Sequence, residues 1–140
     1  MMPVSFFDLQ LAFEFVRSGG MGENEAYLDR ESGKIYWRSE FGDSDEELPD
    51  DIDDKRYILI PDMRELDLGK PLALDFARKF LPDDHDEVRH IFSRRGAYRR
   101  YKDLLVRRGA LERWYDFSNK SEETALREWC TENGIELSDT

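Results

Sequence analysis

The 140-residue chain carries 32 Asp and Glu against 21 Lys and Arg, a formal net charge of −11. Hydrophobic residues make up 39% and aromatics 13%, enough to build a core, which excludes disorder of the whole chain. No apolar run reaches the ~18 residues that span a bilayer, the N-terminus lacks a signal-peptide pattern, and Cys130 has no cysteine partner, so a cytoplasmic protein is expected, with no membrane partner.

The first segment, Ser5 to Val16, carries two periodicities. Phe7, Leu9, Leu11, Phe13 and Phe15 alternate as in a strand, whereas Leu9, Ala12, Phe13 and Val16 share a helix face. Ser5 as N-cap, Asp8 in the first turn and Gly19-Gly20 as a stop favour the helix. Next, Ala26–Asp29 and Lys34–Arg38 flank the turn residues Arg30-Glu31-Ser32-Gly33, a hairpin pattern. Residues 40–54 hold nine acidic and no basic side chains together with Pro49, which predicts a loop. Arg56–Ile60 reads as a strand that Pro61 ends.

Helices follow. Pro71 suits the first turn of a helix to Leu81. Asp83 or Asp84 is expected to cap a second helix running through Ser93. Gly96 opens a third, with Tyr98, Tyr101, Leu104 and Leu105 as its inward stripe, and Gly109 closes it. From Leu111 the apolar spacing fits one long helix, or two in line with a break near Ser118-Asn119. Gly134 suits the residue after that helix, and Ile135 and Leu137 are expected to fold back onto the core. The fold class expected is α+β, a small three-stranded antiparallel sheet packed by a mostly helical C-terminal half. The length fits a single domain over residues 1–140, with the acidic loop 40–54 inside it.

These segments contain a pattern: YLDRESGKIYW, RYILIP, RRGAYRRYKDLL, ERWYDF and REWCTENGIEL. It resembles a bacterial family of small acidic proteins in the UPF series, over roughly Ser5 to Leu137. The resemblance implies no activity, cofactor or catalytic residue, since none is assigned to that family.

Common catalytic patterns are missing. Asp43, Asp45, Glu47 and Asp54 have calcium-loop spacing, but Leu48 stands where the tight turn needs Gly. His85 and His90 are five apart and do not share a helix face, and a single cysteine makes no zinc cluster, so no metal and no cofactor are expected. There is no Gly-x-Ser-x-Gly elbow, and Gly19-Gly20-Met21-Gly22 lacks the Lys-Ser/Thr of a phosphate loop.

One stretch departs from the acidic background. Residues 89–113 hold nine basic and two acidic side chains, a net of +7, interleaved with tyrosine. Candidate binding residues are Arg95, Arg99, Arg100, Lys102, Arg107 and Arg108. To these are added Trp114 and Tyr115, adjacent aromatics of which only one is able to point at the core. The expected function is a non-enzymatic binding or regulatory module with a protein partner. The alternative is nucleic-acid binding, to RNA or single strands, through the basic strip 94–108. Solvated charge, or pairing with residues 40–54 of the same molecule, accounts for the strip without any ligand.

Overall fold

The structure, a computed structural model, describes residues 3–18, 23–39 and 48–138. The expected helix stop at Gly19-Gly20, the Gly19–Gly22 run and residues 40–47 of the acidic segment, with most of its calcium-like spacing, lie outside the described residues. Among those described, five α-helices and a three-stranded antiparallel sheet make an α+β fold. They pack as two compact units, Met1–Leu66 with Leu126–Thr140, and Asp67–Ala125.

In the first unit, strand β1 (Val4–Ser5) leads directly into helix α1 (Phe6–Ser18). Leu9, Ala12, Phe13 and Val16 are its buried face. The competing period-two signal came from residues on the other side, where Phe7 is 61% and Leu11 45% exposed. Phe15, also on that side, lies against the Trp37 ring, centroids 4.8 Å apart. The Ser5 hydroxyl accepts a long bond, 3.4 Å, from the Asp8 N–H.

Helix α1 packs on the sheet formed by β2 (Asn24–Asp29), β3 (Ile35–Ser39) and β4 (Tyr57–Leu59), in the order β3-β2-β4. Both pairings are antiparallel, with Leu28 opposite Ile35 on one side and Ile58 on the other. The turn between β2 and β3 closes with Gly33 at φ 77°. Residues 48–54 form turns rather than a helix or strand.

The second unit begins with helix α2 (Lys70–Phe80), which has Pro71 in its first turn, as expected. A short 3-10 turn, Pro82–Asp84, precedes α3 (His85–Ile91), and α4 spans Ala97–Arg107. Helix α3 ends at Ile91, short of Ser93. Asp84 stands at its N-cap position but makes no side-chain capping bond, because its carboxylate is engaged elsewhere. Phe76, Ala77, Val88, Tyr101, Leu104, Leu105 and Trp114 form one core cluster.

Helix α5 (Leu111–Glu132) runs without a break at Ser118-Asn119. Its residues to Ala125 belong to the second unit, and from Leu126 onward to the first. Helices α4 and α5 end in the same way. The N–H of Ala110 bonds the Leu105 carbonyl and that of Gly109 bonds Val106; Ile135 likewise bonds Cys130, and Gly134 bonds Thr131. Gly109 and Gly134 take φ 64° and 67°, a left-handed step that a Cβ would strain. Past Gly134, Ile135 is buried. Strand β5 (Leu137–Ser138) then pairs in parallel with β1, Leu137 opposite Val4.

Candidate binding surface on helix α4

The basic strip is the turn between α3 and α4 together with α4 itself. About 100° separates successive helix residues, so burying Tyr101, Leu104 and Leu105 fixes where the others point. Arg99, Lys102 and Val106 fall on the outward side, and Arg100 and Arg107 on one flank. Tyr101 packs edge-on against Trp114, with centroids 5.0 Å apart and planes at 87°.

The six basic candidates divide into two sets. Arg95, in the turn, and Arg99, Arg100 and Lys102, on α4, are exposed. None of the four has an ion pair among the described residues. Arg107 and Arg108 are engaged within their own unit. Arg108 donates from Nε and Nη2 to the two carboxylate oxygens of Asp84, each at 2.9 Å, and Arg107 Nη2 lies 3.5 Å from Glu87 Oε1. The Arg108 guanidinium holds the Asp84 carboxyl below its ordinary range, against the opposing effect of burial. This explains the missing cap on α3.

The two aromatic candidates also part. Trp114 is 7% exposed, wedged between Tyr101 and Phe76, whose ring lies 5.4 Å away. It is a core residue, not a surface anchor. Tyr115, one position on, is 42% exposed. Tyr98 departs from the inward stripe assigned to it. It sits in the first turn of α4, meets Phe92 edge-on at 5.2 Å, and remains 40% exposed. Val106 at 61% is the most exposed large apolar side chain of the second unit.

Of the three buried carboxylates among the described residues, Asp29, Asp84 and Glu122, two are paired with arginine, and neither pairing was read from the sequence. Asp29, at 1% exposure, accepts two bonds from Arg56, at 2.6 and 3.2 Å, one from the Glu31 N–H and one from the Ser32 hydroxyl. Asp84 is the other. For Asp29 a signal was present: Asp followed three residues later by Ser, at the mouth of a hairpin, is a side-chain-capped turn. Both carboxylates are saturated by arginine, which suits structural pairs better than proton transfer.

The single thiol is shielded. The Cys130 thiol is 1% exposed and burial pushes it up to about 11, which keeps it protonated. Among the described residues no group of three or more His, Cys, Asp or Glu is placed to hold a metal ion, and no helix is long and apolar enough to cross a membrane.

No curated protein and no solved structure matches the chain. A family profile does, and its span takes in the hairpin, the basic helix and the C-terminal return strand alike. On that match, over residues 2–139, the chain belongs to the Uncharacterised protein family (UPF0158).

Proposed function

We propose that the protein is a non-enzymatic binding module that docks an acidic surface of a protein partner on the outward face of α4. One observation carries this reading. Arg99 and Lys102 are exposed and without an ion pair among the described residues, and Val106, 61% exposed, follows on the same face one turn beyond Lys102. An arginine that shares a helix face with an exposed apolar side chain fits a protein-docking patch, whereas a phosphate backbone makes no use of the valine. The net charge of −11 also disfavours approach of a polyanion to the molecule as a whole. The lone, buried Cys130 is compatible with the reducing cytoplasm as the place of action.

Affinity capture with crosslinking tests the proposal. The wild-type protein should retain a stoichiometric protein partner that the Arg99→Glu/Arg100→Glu variant loses, with no change in thermal midpoint, since both positions are exposed. Equal retention by both proteins would defeat it.

A second reading uses the same arginines for single-stranded nucleic acid. It is favoured by Tyr98, a half-exposed ring among Arg94, Arg95, Arg99 and Arg100. Its mark is affinity for a single-stranded RNA homopolymer that falls by several orders of magnitude from ~50 to ~200 mM salt. Weak, salt-insensitive binding would exclude it.

A further inference from the structure

We infer that the surface on α4 takes a second copy of this chain, whose residues 40–54 dock on its exposed basic side chains. The inference rests on the reading of α4 as a binding surface and names a partner for it. Charge complementarity carries it. Residues 40–54 hold nine acidic side chains and no basic one, a net of −9, against +7 over residues 89–113. Two such patches on every copy attract each other between molecules and are screened by salt.

The described residues narrow which groups are available on each side. On the basic side, Arg107 and Arg108 are held by Glu87 and Asp84, so Arg95, Arg99, Arg100 and Lys102 remain. On the acidic side, the end of the segment is described. Asp51 accepts from the Tyr57 hydroxyl and Asp54 from the Arg56 N–H, whereas Asp50 and Asp53 are exposed and have no such bond among the described residues.

The contact joins unlike surfaces of two molecules. Made reciprocally, with each copy offering its acidic segment to the other's α4, it closes as a two-fold dimer and leaves no open end.

Sedimentation velocity on the full chain tests this. The wild type should dimerise at low ionic strength and dissociate as salt rises, its association weakening about tenfold or more once the Debye length falls below ~5 Å. Two variants should each be monomeric: Arg99→Glu/Arg100→Glu, and a chain with Glu40, Glu46 and Glu47 changed to Gln and Asp43, Asp45, Asp50 and Asp53 to Asn. Asp51 and Asp54 are kept because they hold Tyr57 and Arg56 in place. Mixed, the two variants should associate, since one retains the acidic segment and the other the basic face. A wild type that is monomeric at all salt concentrations overturns the inference, as does a mixture that stays monomeric. The neutralised variant should still capture an external partner. Capture that persists while self-association fails sinks only the present inference; loss of both on the wild type sinks the binding surface itself.

Discussion

Arg108 lays its guanidinium fork across both carboxylate oxygens of Asp84, each contact 2.9 Å long and 24 residues apart in sequence. The pair ties the last turn of α4 to the start of α3. It also removes Arg108 from the set of basic side chains open to a ligand, and Asp84 from the set of helix caps.

Replacing Asp84 should therefore weaken the second unit rather than a binding function. Asp84→Asn is expected to lower stability by about 1–2 kcal/mol at neutral pH, as removal of a charge-assisted, partly solvated pair does. The Arg108 bond keeps the native carboxyl below its unfolded value of about 4. The stabilisation is thus complete above that unfolded value and disappears as pH falls through the lower native one. Thermal midpoints of wild type and variant should differ at pH 7 and converge in strong acid. A constant difference across that range would refute the pairing.

Asp29 and Arg56 form the corresponding link in the first unit, joining the hairpin turn to the start of β4. Asp29 is almost fully buried, while the Arg56 side chain is 36% exposed. Asp29→Ala should cost about 3 kcal/mol, the lower end of the range for breaking a buried pair, because water reaches the arginine left behind. The Arg56 hydrogen bonds, helped by the Glu31 N–H and the Ser32 hydroxyl, hold this carboxyl far below the usual carboxylate range against the opposing effect of burial. Its contribution is present above the unfolded value of about 4 and should survive to lower pH than that of Asp84. Acid titrations of the two variants against wild type, followed by circular dichroism, would show both pairs failing together if this is wrong.

Trp114 and Tyr115 are adjacent but should behave as opposites. Trp114→Ala removes a ring packed against Tyr101 and Phe76 and should cost about 3–5 kcal/mol. Tyr115→Ala, at 42% exposure, should stay within about 0.5 kcal/mol of wild type. Urea denaturation of both variants decides it; comparable losses would mean that Tyr115 is packed.

Tyr101 has a fully buried hydroxyl with no hydrogen-bond partner among the described residues. Burial drives its phenol well above the ordinary range. A buried hydroxyl left unpaired costs free energy, so Tyr101→Phe should leave the thermal midpoint unchanged or raise it. A drop of several degrees would reveal a partner for the hydroxyl.

Much of this architecture was legible in the residues because its determinants act over a few positions. Pro71 starts α2, Gly33 turns the hairpin, Gly109 and Gly134 end their helices, and the Tyr101–Leu104–Leu105 spacing sets the inner face of α4. Each is a matter of local backbone sterics or helical period. The candidate arginines were visible as a charge run for the same reason.

What the run could not disclose is which arginines are engaged. Arg108 meets Asp84 and Arg107 meets Glu87 only because α3 and α4 lie side by side. Nor did the sequence show the pairing of Val4 with Leu137, between strands of two residues each, too short to carry a pattern. No linker marks the boundaries of the two compact units, the second of which falls between Ala125 and Leu126, inside one continuous helix. Local sterics and hydrophobic period wrote the elements. Burial of side chains far apart in sequence decided the pairs between them, and so left four of the six basic candidates, Arg95, Arg99, Arg100 and Lys102, exposed and without an ion pair among the described residues.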